Sequence, residues 1–195
     1  QDGQREFETI RDELARRFVA EANETPSLRI APDYVARLRT LATADQLASD
    51  SLLLGWYYLR RQDMAEAEKW FSASREIEDT ASASQGLALT LIARKDNTRA
   101  EDVMFLWRDD SEEATATYLA ATANLIGAEP LLIIAEPVLQ RVATAVIAKK
   151  YVPTAQQFGW YARALNQPQT ALRWFETALS WKADDEPSAY GLAIT

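Results

Sequence analysis

The chain has no cysteine and no histidine among its 195 residues. The first absence removes thiol catalysis. The second removes imidazole acid–base chemistry, and together they remove the usual ligands of zinc, copper and haem. A cysteine-free chain fits the cytoplasm and an oxidising periplasm equally, so cysteine usage leaves the compartment open. Glycine and proline are scarce, at 6 and 7, which favours helices over a turn-rich sandwich. No apolar run approaches the roughly 20 residues of a membrane span.

Clustered positive charge is missing as well. The net charge is −8, and Arg60-Arg61 and Lys149-Lys150 are only doublets. Binding phosphate requires grouped Lys and Arg that release counterions, so nucleic acid and anionic membrane surfaces are poor partners. No EF-hand loop, phosphate loop, Gly-x-Ser-x-Gly or His-Glu-x-x-His pattern occurs. The acidic pairs Asp109-Asp110, Glu112-Glu113 and Asp184-Asp185 stand at expected helix boundaries, where acids favour the helix dipole. Neighbours on a helix also point about 100° apart, which is wrong for a carboxylate pair in glycoside hydrolysis. No catalytic residue, metal ligand or cofactor is assigned, and the expectation is a protein that is not an enzyme. An all-helical superhelical enzyme would need a catalytic Glu in a cleft domain that this sequence does not show.

What remains is a duplication. Residues 55–75 read GWYYLRRQDMAEAEKWFSASR and residues 159–179 read GWYARALNQPQTALRWFETAL. Gly55-Trp56-Tyr57, Ala67 and Trp70-Phe71 recur as Gly159-Trp160-Tyr161, Ala171 and Trp174-Phe175, all 104 residues on. Gly86-Leu87-Ala88 recurs as Gly191-Leu192-Ala193 at an offset of 105. Three periods of a roughly 34-residue helical hairpin span that distance.

The rest of the chain is helical in pattern. Phe7, Ile10, Leu14, Phe18 and Val19 predict an amphipathic helix over 4–23, and Tyr34, Leu38 and Leu41 line a second that ends near Thr43. A hairpin follows, from about Ala44 to Arg61 and from Met64 to Ile77, with Leu47, Leu54 and Tyr58 facing inward. A looser unit covers Ala81 to Arg94 and Thr98 to Trp107, and its turn at Lys95-Asp96-Asn97 reads two residues longer than Gln62-Asp63. Asp110 is the expected cap of the next helix, with Glu113 reaching back. Leu131-Leu132-Ile133-Ile134 has no polar face and is expected to be buried, either in an irregular hairpin or in a self-association surface. Pro137 is expected to kink or break the structure there. The second clear hairpin runs from Pro153 to Leu165 and from Pro168 to Trp181.

The two clear units resemble tetratricopeptide repeats (TPRs). Gly55, Tyr58, Ala67, Phe71 and Ser74 fill the pattern in the first. Gly159, Ala171, Phe175 and Ala178 fill it in the second, where Ala162 replaces the aromatic. The turn glycine is replaced by Gln62 and Gln167. The resemblance implies an all-α, TPR-like α-solenoid of stacked hairpins with a right-handed superhelical course. Its segments are weakly matching helices over 1–47, a repeat over 48–81, divergent helices over 82–150, a repeat over 151–185 and the first helix of a truncated repeat over 186–195. Gln1 and Thr195 are read as the ends of a piece of a longer protein.

The same resemblance implies a scaffold that binds a protein or peptide on the concave, first-helix face. Trp56, Arg60, Trp160 and Arg163 are the candidate contacts, and Trp70, Trp174, Trp107 and Trp181 are assigned to packing, the first two on the convex side or against the next hairpin. Ser51, Leu52 and Leu59 stand where a carboxylate clamp would need Lys, Asn and Arg. The wording of 185–193 is similar to TPR proteins of bacterial exopolysaccharide export, which implies a second reading, a periplasmic module touching polysaccharide. Homo-oligomerisation is the remaining partner expectation.

Overall fold

The computed structural model describes residues 2–195, with side chains from Phe7 onward; Gln1 and the side chains of 2–6 lie outside the described residues. Among the described residues there are eleven α-helices and no strand. They form two compact units, residues 1–110 and 111–195.

The first unit contains α1 (Asp2–Glu24), α2 (Pro32–Ala44), α3 (Ala48–Arg60), α4 (Met64–Ile77), α5 (Ala81–Ala93) and α6 (Asn97–Phe105). Each packs on its chain neighbour, and α3 also touches α1 and α5. The second unit contains α7 (Glu112–Ile126), α8 (Glu136–Lys149), α9 (Val152–Ala164), α10 (Pro168–Trp181) and α11 (Glu186–Ile194). Here α9 is the hub, in contact with α7, α8, α10 and α11.

The duplicated residues build the same joint twice. Phe71 on α4 is fully buried, between Gly55 on α3 and Gly86 on α5. A Cβ at Gly55 would lie 2.5 Å from the Phe71 ring, and one at Gly86 would lie 2.2 Å from it. Phe175 on α10 is held in the same way between Gly159 and Gly191, with Cβ distances of 2.4 Å on both sides. Such spacings leave room only for hydrogen, so glycine is required wherever the ring is to lie flat against a neighbouring helix. The change of offset from 104 to 105 also finds its cause. The α4–α5 connection is Glu78-Asp79-Thr80, whereas α10–α11 uses the four residues 182–185.

The hairpin turns share one geometry. Gln62, Lys95 and Asn166 have φ of 61°, 63° and 57°, and each precedes the N-cap of the second helix. Asp63 and Asp96 accept from Glu66 N–H and Arg99 N–H. Gln167 makes no side-chain cap, but Pro168 removes one of the amides that would need it. The left-handed position of the second turn is therefore Asn166 and not Gln167, which corrects the turn assignment made from the repeat pattern.

The α5–α6 turn is no longer than the others; three residues separate the helices, as they do in α3–α4. The longer turn expected from sequence came from equating Gly86 with Gly55. Aligning Lys95 with Gln62 instead places Ala88, Ala100 and Met104 where Gly55, Ala67 and Phe71 stand, and all three are fully buried. Gly86 serves the preceding hairpin's Phe71.

Other expectations need correction too. Leu47 is the exposed N-cap residue of α3, with extended backbone, so it does not face inward. Phe7, Ile10 and Leu14 are exposed, and burial along α1 begins at Ala15 and continues through Val19 and Ala22. The cap of α7 is Ser111, which accepts from Ala114 N–H at 3.0 Å, and not Asp110. Pro137 lies in the first turn of α8, where its missing N–H breaks nothing. The segment before it is not buried within the chain, which corrects the irregular-hairpin alternative alone: Leu131, Leu132 and Ile133 are 40%, 40% and 81% exposed.

Charge also joins the first unit. Arg16 on α1 forks onto Asp50 on α3 through Nε and Nη2, at 2.8 and 2.7 Å, and the Asp50 side chain is 1% exposed. The carboxylate raises the Arg16 pKa, mainly through the direct hydrogen bond.

Candidate interaction surface

Trp56 and Trp160 each follow a packing glycine and lie beside the pinned phenylalanine. Trp56 meets Phe71 edge-on, with centroids 5.1 Å apart and planes at 82°. Trp160 meets Phe175 at 5.0 Å and 70°. This is the favoured geometry of aromatic pairs, in which a positive ring edge meets a negative face. Both indoles are half-buried. The Trp56 indole N–H donates to Ser82 Oγ on α5 at 3.3 Å. Trp160 instead leans on Tyr190 of α11, at 6.2 Å.

The arginines do not repeat in the same way. Arg163 carries its guanidinium 5.9 Å from the Trp160 ring centroid and donates to Ile194 O at 3.4 Å. Arg60 is exposed in the last turn of α3, and stands where the second unit has Ala164. Arg163 sits over its tryptophan, while Trp56 spends its N–H on a neighbouring helix.

The second tryptophan pair behaves unequally. Trp70 is only 4% exposed and clusters with Val19, Val35, Leu38 and Leu54. It therefore packs on the helices that precede its hairpin, where the sequence pattern had pointed to the next hairpin as one alternative. Its indole N–H donates to Glu66 at 2.9 Å. Trp174 is half-buried, stacked on Phe158 at 4.5 Å with 12° between planes. It lines a cleft of about 480 Å³ together with Ile133, Leu139, Phe158 and Leu165, and Glu136, Gln140, Gln167 and Thr170 supply polar groups. Trp107 follows α6 half-buried, and Trp181 closes α10 against the second unit's core.

Sequence reasoning missed a further groove in the first unit. It has a volume of about 830 Å³ and is lined by Ile30, Val35, Arg39, Thr43, Tyr57 and Tyr58, among others. The Arg61 guanidinium covers Tyr57 at 3.7 Å and also donates to Leu28 O, which ties the α1–α2 connection to α3. Burial raises the Tyr58 pKa, and nearby Arg39 works against that rise. The Tyr57-Tyr58 doublet was the available signal, but its partner α2 carries no repeat pattern.

Among the described residues no group of three or more Asp and Glu side chains is placed to hold a metal ion, and no helix is long and apolar enough to cross a membrane. Comparison with protein-family models, with curated proteins and with solved structures finds no match for this chain.

Proposed function

We propose that this chain is a non-catalytic scaffold of the TPR type, whose stacked hairpins follow a right-handed superhelix and hold a protein partner against their first-helix faces. The supporting observation is the repeated half-buried tryptophan beside a phenylalanine pinned between two glycines. The glycines, alanines and phenylalanines complete the packing, and each indole adds a large aromatic surface that is only partly covered. Trp and Arg dominate protein-binding hot spots because they combine contact area with charge-assisted bonds. Arg60 and Arg163 are exposed within one turn of Trp56 and Trp160.

The test is Trp56→Ala and Trp160→Ala, with binding of a cross-linked and identified partner measured by calorimetry. Each variant is expected to weaken binding by about 2 kcal/mol with unchanged circular dichroism. Variants that lose helicity while binding per folded molecule stays constant would assign the tryptophans to the core alone.

The second reading, a module of an exopolysaccharide machine, draws on the Trp174 cleft, which sets an aromatic face among carboxylate, amide and hydroxyl groups. Quenching of tryptophan emission by cello-oligosaccharides, abolished by Trp174→Ala, would favour it over the protein partner.

A further inference from the structure

Beyond the glycine–alanine–phenylalanine pattern, which α2 lacks, the offset of 104 reaches further back along the chain. Leu28, Ile30, Ala31, Arg37, Thr40 and Ala44 recur as Leu132, Ile134, Ala135, Arg141, Thr144 and Ala148. The backbone recurs with them. Ala31 and Ala135 precede their helices at φ −61°, ψ 136° and φ −63°, ψ 139°, and Gln46 and Lys150 both have φ of 50°. Thus α8 packs on α9 as the copy of α2 on α3, and the two grooves described above are copies as well. Ile30, Val35 and Tyr57 line the first, and Ile134, Leu139 and Tyr161 line the second.

The copies differ at one end. The first groove is lined by Arg39 and Tyr58 but not by Trp70, which is 4% exposed. Arg39 donates to the Tyr58 hydroxyl at 3.3 Å and lies 3.4 Å from Glu66, the carboxylate that holds the Trp70 indole N–H. In the second unit Ala143, Ala162 and Thr170 stand at the positions of Arg39, Tyr58 and Glu66. All three line the cleft, and it continues past them to Trp174. Alanine supplies neither a guanidinium nor a phenol, so the second cleft lacks the pair that the first unit draws from α2 and α3.

Charge complementarity points to the same occupant. Among the described residues that line the Trp174 cleft, Glu136 alone is charged, and Gln140 donates to it at 3.0 Å. A carboxylate beside aromatic faces favours a guanidinium, which gains a charge-assisted bond and a ring to lie against. At about 480 Å³, the cleft falls within the roughly 300–1,000 Å³ of ordinary ligand sites.

We propose that the Trp174 cleft receives from another protein what the first unit supplies from its own helices, an arginine side chain beside a tyrosine. The site uses neither Trp56 nor Trp160, so it goes beyond the scaffold reading, and it competes with the oligosaccharide reading for the same cleft.

The experiment follows the indole N–H resonances of the isotopically labelled full chain, with that of Trp174 assigned by its loss in Trp174→Phe. The chain is titrated with the capped peptide GARYAG, its acidic twin GADYAG and the ring-free GARAAG. GARYAG is expected to shift the Trp174 resonance and to bind about tenfold more tightly than either control, the worth of one charged bond or one buried ring. Glu136 is exposed, so Glu136→Gln should keep full helicity while erasing most of the preference for GARYAG over GADYAG. Ala143→Arg with Thr170→Glu restores the first unit's pair across the cleft and should abolish binding, with helicity checked by circular dichroism. No shift at Trp174, equal binding of the acidic twin, or full binding by the folded Ala143→Arg, Thr170→Glu variant overturns the proposal. A cello-oligosaccharide that shifts Trp174 where no peptide does assigns the cleft to sugar and overturns it as well. A concentration-dependent dimer dissolved by Ala143→Arg with Thr170→Glu, with no peptide bound, assigns the cleft to a second copy and does the same. Each of these failures leaves the Trp56→Ala and Trp160→Ala measurement untouched, so the two readings fall separately.

Discussion

The Phe71 joint lends itself to a double-mutant cycle with Gly86. Built onto Gly86, a methyl group would approach the ring at 2.2 Å, and one built onto Gly55 would approach it at 2.5 Å, so the ring has no slack toward either helix. Forcing an extra carbon into a packed core costs about 1–3 kcal/mol. Ala in place of Gly inside a helix returns about 0.5–1 kcal/mol, so Gly86→Ala alone should destabilise by roughly 0.5–2 kcal/mol. Phe71→Ala should cost about 3–5 kcal/mol through lost burial and a cavity. With the ring gone, Gly86→Ala no longer clashes; it regains helix propensity and fills part of the void, and should stabilise by about 1 kcal/mol. The predicted coupling is therefore about 1.5–3 kcal/mol, well outside the additive range. Urea unfolding followed by far-UV circular dichroism on the four proteins measures it. A coupling below about 0.5 kcal/mol would mean that the ring is not pinned between two helices, and the packing argument for the duplicated glycines would fail.

Asp50→Ala should strand the Arg16 guanidinium and cost about 2 kcal/mol, less than the 3–5 of a fully buried pair because Arg16 keeps access to water; urea unfolding checks this, and an effect within 0.5 kcal/mol of zero refutes it. Asp79, in the α4–α5 connection, bonds both Arg75 and Ser84, and its pKa is lowered chiefly by Arg75. Because the folded carboxylate has the lower pKa, its contribution is present above the ordinary aspartate range and fades as pH falls through the folded value. Asp79→Asn should therefore lower stability at neutral pH by less than about 1 kcal/mol, given the exposure of the pair, and flatten the acid limb of the Tm profile. An unchanged acid limb contradicts the assignment.

Local pattern was enough to identify the helices. Their apolar spacing and helix-forming residues act within a few residues, so the sequence alone placed most of the helices to within about a turn, whereas Pro137 was read as a break and instead opens α8. The duplication carried the Gly–Phe–Gly joint for a similar reason. A ring that demands two hydrogens as neighbours can be satisfied only by glycine, and the two copies show the demand twice.

What the tertiary structure decided is which surface meets which. Trp70 and Trp174 occupy the same repeat position, yet α2 buries the first while the break before α8 leaves the second lining a cleft. Nothing local to either tryptophan encodes that difference. Phe7, Ile10 and Leu14 have good amphipathic spacing but are exposed, because α1 packs through its C-terminal half. Leu131–Ile133 were expected to be covered, within an irregular hairpin or against another copy, because hydrophobic transfer favours burial; within the chain they are exposed. Hydrophobicity sets the free energy that burial would release, but only the arrangement of neighbouring helices determines whether a surface exists to receive it.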